Sequence, residues 1–286
     1  MRLRLPTIAA ALVTLLGHSA LAQSPCRAPS PDCVAIGEWD ISLNMGYGER
    51  SNPILGNADI PLYLLPQISY YGERFFLENL EFGFTLLEGR SNTLNVIAAP
   101  GYDRVFFFSN DLQNIFVSGS TLSANAPPEI PLETADDPFF ELIEEYPIRG
   151  RHTTYLVGPE WLFRFGDFIG QLDALREVTG EHDGYEVRAA IAAPIVQSAS
   201  SLVVSAGLTW KSSKLVRYYY GVDDLYEPGA ALNPFIKLGF AHPLSERWTF
   251  SAFVHHERLD DAISDSPIVI ENSVTTVFAG FAFKVL

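Results

Sequence analysis

Between residues 38 and 48 the chain reads EWDISLNMGYG, and Trp39, Ile41, Leu43, Met45 and Tyr47 alternate without a fault with Asp40, Ser42, Asn44, Gly46 and Gly48. A period of two places these sets on opposite faces of an extended strand. The alternation returns in Leu80, Phe82, Phe84 and Leu86 against Glu81, Gly83, Thr85 and Leu87, and in Tyr185, Val187, Ala189, Ile191 and Ala193 against Glu186, Arg188 and Ala190. It recurs in Leu202, Val204, Ala206, Leu208 and Trp210 against Val203, Ser205, Gly207, Thr209 and Lys211, and in Trp248, Phe250, Ala252 and Val254 against Thr249, Ser251 and His255. Such a chain is a sheet protein, and what must be settled is which solvent meets its apolar face.

Strand length supplies the answer. The pattern predicts strands at 38–48, 61–77, 80–88, 93–108, 151–165, 167–178, 184–196, 202–211, 214–221, 233–242, 247–258 and 273–286. Several exceed the roughly five or six residues of a globular strand and reach the ~9–11 that cross a bilayer at a tilt. Twelve is an even number, as bacterial barrels require. Trp39, Tyr47, Tyr70, Tyr71, Trp161, Trp210, Tyr218, Tyr219, Tyr220 and Trp248 fall near strand ends, where aromatic girdles meet the two water interfaces. The run LYLLPQISYYGERFFLENLEFGFTLLE at 62–88 then turns its apolar side to lipid and Gln67, Ser69, Glu73 and Glu81 to a polar lumen. A secreted sandwich or lipocalin-like barrel also alternates, but it does not account for length, girdles and export together.

Export is read from MRLRLPTIAAALVTLLGHSALA: Arg2 and Arg4, an apolar stretch from about Ile8 to Leu16, then Ala20-Leu21-Ala22. These features predict a signal peptide over 1–22, since the apolar core falls short of the roughly 20 residues of a spanning helix. The signal holds two of the 19 basic and none of the 34 acidic residues, so the exported chain is strongly acidic. That excludes nucleic acid as a partner class, because such binding rests on Lys and Arg neutralising phosphates. Cys26 and Cys33 lie in a Pro-rich tail, 23–37. In an oxidising compartment, with no further ligands nearby, this pair reads as a disulfide rather than a metal site.

The block GYGERSNPILGNADIPLYLLPQISYYGERFFLENLEFGFTLLE at 46–88 resembles the amino-terminal signature of the MipA/OmpV family of outer-membrane proteins, the MltA-interacting proteins. APGYDRVFF at 99–107, YYYGV at 218–222 and ISDSPIV at 263–269 resemble it too. The resemblance covers the chain from about residue 38 onward. It implies an outer-membrane β-barrel; one member of the family is regarded as a scaffold joining a murein hydrolase to a murein synthase, and other members are linked to adhesion or to stress and antibiotic response. It brings no catalytic residues. Barrels of this kind commonly end in an aromatic residue, whereas this chain ends AGFAFKVL.

With the amino terminus in the periplasm, the long connections 49–60, 222–232 and 259–272 fall outside and the short ones 78–79, 212–213 and 243–246 fall inside, as such barrels prefer. Residues 109–150 break the pattern, since they form a periplasmic connection where a short turn is the rule. There Asp137 and Pro138 resemble an N-cap and first helical residue, followed by Phe139, Leu142, Ile143 and Tyr146 at helical spacing. That apolar stripe is a candidate lumen plug, or a dock for a partner helix. The acids Glu129, Glu133, Asp136, Asp137, Glu141, Glu144 and Glu145 lack the spacing and glycine of a calcium loop and read as a solvated face.

His255 and His256 beside Glu257, Asp260 and Asp261 resemble a metal cluster, but strand neighbours point to opposite faces and cannot share one ion. His152, His182 and His242 stand singly near strand ends. No G-x-S-x-G elbow occurs. The sequence therefore predicts an all-β, antiparallel transmembrane barrel of about twelve strands over 38–286. It is expected in the outer membrane, without catalytic residues, metal or cofactor, and to act as a scaffold for murein enzymes at the periplasmic side. The alternative is a pore, or an adhesin acting through its outer loops.

Overall fold

The computed structural model describes residues 36–108 and 151–285. Twelve strands close into one antiparallel ring. They are β1 (Trp39–Arg50), β2 (Ile60–Tyr71), β3 (Phe75–Glu78), β4 (Glu81–Glu88), β5 (Asn92–Pro100) and β6 (Tyr155–Phe165), then β7 (Phe168–Glu177), β8 (Tyr185–Gln197), β9 (Ser201–Lys211), β10 (Ala231–Pro243), β11 (Trp248–Arg258) and β12 (Ser273–Lys284). Each pairs with its sequence neighbours, and β1 closes on β12 from Ser42↔Lys284 to Arg50↔Thr276. No helix among the described residues is long and apolar enough to span a membrane.

The alternation has the physical meaning expected of it. Met45, Phe82, Ile191, Leu208, Ile236 and Phe281 are exposed on the outer face of the wall. Asn44, Asn95, Glu160, Asp173, Arg188 and Asn233 are buried on the inner one. A sheet with an apolar outside and a polar inside is inverted relative to a soluble protein, and lipid is the solvent that stabilises it. The seam between β1 and β12 depends on glycine, because a Cβ on Gly280 would lie 2.5 Å from the Met45 carbonyl oxygen and 2.8 Å from Cζ of Phe278. The Phe278 ring lies against the wall there and stacks with Phe253 at 6.0 Å.

The count of twelve holds, but through two departures that offset each other. The strand expected at 61–77 is β2 and β3, parted by a turn at Gly72 whose N–H donates to the Phe75 carbonyl at 2.7 Å. The strand expected at 214–221 is instead a helix, α1 (Ser213–Tyr220). The run expected at 93–108 ends at Pro100 and passes into a 3-10 turn, Tyr102–Phe106. The extra strand β3 reverses the direction of everything between it and α1. The connection from Pro100 to Tyr155 therefore leaves from the end that carries the long loops, not from the short-turn end, and 212–230 is one long connection at that same end. A second short helix, α2 (Asp261–Ser264), lies in the β11–β12 connection. By the usual asymmetry of these barrels, the long-loop end is the outer one.

β3 reaches only as far as Ser69 of β2. The edge of β2 from Ile60 to Gln67 thus has no ladder partner among the described residues. Ile68 closes the rim, its N–H donating to Asn79 Oδ1 at 3.0 Å and its carbonyl accepting the Asn79 N–H at 2.7 Å. Pro66 points to the same side as Ile68 and has no N–H to leave unmet, which suits an edge.

Candidate functional site

The outer mouth of the barrel is closed by its own loops. Leu215, Val216, Tyr219 and Tyr220 of α1 are fully buried and pack with Phe107, Ile54, Ile268 and Ile263 of α2 into one apolar cluster. The sequence permits this fold-back because Leu215 and Tyr219, and Val216 and Tyr220, are four residues apart on one helical face. Arg151 fixes α1 from the side. Its Nε and Nη2 donate to the Tyr219 carbonyl at 3.0 and 2.6 Å, and its guanidinium lies 5.0 Å from the Phe107 ring centroid. Burial pulls this guanidine down to about 10, still protonated at neutral pH. Ser266, just past α2, donates to the Tyr220 carbonyl at 2.6 Å and so satisfies a carbonyl at the end of α1.

Further contacts seal the rim. Asn52 and Asn57 donate to the Phe106 carbonyl at 3.0 and 2.8 Å, tying the β1–β2 loop to the 3-10 turn. The β7–β8 loop brings Glu181, whose Oε2 accepts from Tyr218 at 3.2 Å and sits 2.9 Å from His152 Nδ1. The contact with His152, then that with Tyr218, holds the Glu181 carboxyl below its usual range. The His182 ring packs tilted against Tyr218 with centroids 5.3 Å apart, and its Nδ1 accepts the Gly184 N–H at 3.0 Å. Burial, opposed by Glu177, Asp103, Glu186 and Asp183, lowers its imidazole.

Beneath this cap the lumen is polar and unevenly charged. The 3-10 turn lowers Asp103 into the bore, where Oδ1 accepts from Lys211 Nζ at 2.6 Å and from the Tyr220 hydroxyl at 2.7 Å. One wall carries acids: Glu78 of β3, Glu81 of β4, Glu160 of β6, Asp173 of β7 and Glu186 of β8. Arg188 stands among them, its Nε 2.5 Å from Glu186 Oε1. Asn95 donates to Glu160 at 2.6 Å and Gln171 to Asp173 at 2.9 and 3.0 Å. Tyr71 donates to Glu78. The opposite wall carries Arg50, Lys237 and His255. No set of three His, Cys, Asp or Glu among the described residues is placed to hold a metal.

With the barrel, its cap and its lumen in view, comparison with known proteins decides the family. The sequence profile described as MltA-interacting protein MipA matches residues 43–285. The chain belongs to the MipA family. Among its relatives is the outer-membrane protein YiaT of Escherichia coli K12, 20% identical over 254 residues, which span 86% of this chain and 91% of the relative. Another is the MltA-interacting protein of the same strain, 22% identical over 265 residues, spanning 88% and 92%. Among solved structures, OmpT of Vibrio cholerae aligns at a TM-score of 0.35 with 10% identity, over 78% of this chain and 65% of that one.

Within this MipA-family barrel, His255 and His256 part as the strand period requires. His255 faces the lumen beside Phe235, ring centroids 5.4 Å apart, while His256 is exposed outside with Nδ1 2.8 Å from Thr275 Oγ1. Cys26 and Cys33, the candidate helix with Phe139, Leu142, Ile143 and Tyr146, and the acidic run 129–145 lie outside the described residues. The element seen filling the outer mouth is α1, which the sequence reading took for a strand. Asp103 and Lys237 also escaped that reading, because nothing local marks a lone lumenal charge on a strand or turn.

Proposed function

We propose that this MipA-family barrel is a scaffold whose inner, short-turn end binds a murein hydrolase and a murein synthase at the periplasmic face of the outer membrane. The observation that carries the reading is the packed cap. A barrel whose outer mouth is filled by Tyr219, Tyr220, Phe107 and Ile54, all 0–1% exposed, is built as a closed body rather than a conduit. Its free surfaces are then the two ends, and the inner end presents the turns 89–91, 166–167, 198–200 and 244–247. The name of the Escherichia coli relative, MltA-interacting protein, agrees with a partner drawn from that enzyme class.

The test is capture from detergent-solubilised envelopes with the full chain as bait and an unrelated barrel as control. A murein hydrolase or synthase enriched at least tenfold supports the scaffold, and replacement of 198–200 and 244–247 by Gly-Ser turns is expected to abolish that enrichment. Equal recovery on both baits contradicts it.

A further inference from the structure

Five adjacent strands contribute one transverse row of lumen-facing side chains. Register pairs Ser205 of β9 with Lys237 of β10, Lys237 with His255 of β11, His255 with Thr276 of β12, and Thr276 with Arg50 of β1. Cross-strand neighbours on one face touch or nearly touch. All five side chains carry hydrogen-bond donors and none is a carboxylate.

Lys237 is the central residue of β10 (Ala231–Pro243), so it lies midway across the wall. Among the described residues no hydrogen bond or ion pair reaches its ammonium group; its recorded neighbour is the Phe253 ring, with Nζ 5.5 Å from the centroid. The charged groups facing His255 within the lumen are Lys237 and Arg50, neither of them an acid, while His256 lies on the outer face. Carboxylates exist nearby but are otherwise engaged. Glu257, one lumenal position outward of His255, accepts from Asn233 at 2.7 Å and faces the charges of Lys211 and Arg50, and Asp103 is held by Lys211 and Tyr220. The remaining acids surround Arg188 across the bore.

An ammonium placed at bilayer depth without a counter-charge is costly. This chain has acids in excess, with a formal net charge of −15, and supplies none here, which leaves room for an anion from solution. Lys237 stays partly exposed to the lumen, and the next lumenal positions inward are Gly239 on β10 and the buried Phe253 and Phe278 rings on β11 and β12. A twelve-strand ring is also wider than the eight-strand rings that side chains alone fill.

We propose that the lumen binds a small oxyanion of the carboxylate or phosphate class on Lys237, flanked by Ser205 and the His255 ring. The site stands apart from the scaffold reading and survives or fails without it.

The test uses the full chain folded in non-ionic detergent, titrated with phosphate or with acetate at constant ionic strength. The chain's lysines are Lys211, Lys214, Lys237 and Lys284, so acylation of each is resolved by peptide mass spectrometry. Either anion is expected to slow acylation of Lys237 at least tenfold, saturably, and to leave Lys214 unchanged; the arm that protects at lower concentration names the class. Each effective anion raises the melting temperature of the native protein and of Lys237→Arg, but not that of Lys237→Met. Unchanged Lys237 reactivity overturns the site, as does an equal thermal shift in Lys237→Met. Should Lys237→Met fail to fold, the protection measurement on the native protein decides alone.

Discussion

Arg151 shows how a single side chain holds the cap. Its guanidinium lies between α1 and Phe107 and satisfies the Tyr219 carbonyl, which has no other donor among the described residues once the helix ends at Gly221. Arg151→Met keeps the stem but removes those donors, and leaves a buried carbonyl unmet. We expect a loss of roughly 2–3 kcal/mol in cap stability, read as faster amide exchange across 213–220 with strand protection unchanged. His182 and Glu181 set the pH response of the same region. His182 has a folded pKa below its ordinary 6.5, so the open cap takes up the proton first, and closure weakens as pH falls below about 6.5. Glu181, with its folded value below 4.5, contributes closure that is present above that pH and lost below it. Both act in one direction: the protection factors of amides in 178–184, taken relative to the base-catalysed intrinsic exchange at each pH, are expected to fall on passing from pH 7.5 to 4, and His182→Gln to remove the upper part of that change.

The elements were legible in the sequence in proportion to how local their cause is. Each strand from β7 to β12 was read from alternation alone, because lipid stabilises every outward apolar side chain independently and needs no partner from elsewhere. β2 and β3 were fused because Phe75, Phe76 and Leu77 continue the apolar run, although Gly72-Glu73-Arg74 between them is a polar, glycine-led turn that leaves Glu73 exposed at the short-turn end and not in the lumen; Asn79 bonding Ile68 fixes the hairpin. α1 was misread since SKLVRYYY is rich in Val and Tyr, residues that favour strands. The pairs Leu215–Tyr219 and Val216–Tyr220 were its available helical signal, and only burial in the cap gives that signal its stabilising effect. The donor row of the lumen was not legible at all, because register across five strands is a property of closure, not of any one segment. Two element-scale outcomes follow. Gly280→Val drives a side chain into the Met45 carbonyl and the Phe278 ring at the β1–β12 seam. It is expected to cost about 3 kcal/mol or more, seen as loss of the compact, heat-modifiable band on electrophoresis. Val216→Asp places an unpaired charge inside the cap, and is expected to raise the frequency of conductance steps in planar bilayers at least tenfold over a nearly silent native protein.

At the scale of the whole molecule, the barrel is an inverted arrangement: apolar outside, polar within and capped at its outer end. The closed mouth and the scaffold reading both presuppose that the outer face of the ring is wetted by acyl chains. The chain's four tryptophans report on this directly. Trp39, Trp161 and Trp248 stand on the outer face toward the short-turn end and Trp210 at the long-loop end, each 38–49% exposed. Reconstituted in bilayers whose acyl chains are brominated at defined depths, the protein is predicted to lose most of its tryptophan fluorescence, with bromines near the headgroups quenching more than those at the bilayer centre. Fluorescence untouched by bromine at every depth, in protein that remains folded, would place those rings inside a protein core and contradict the account.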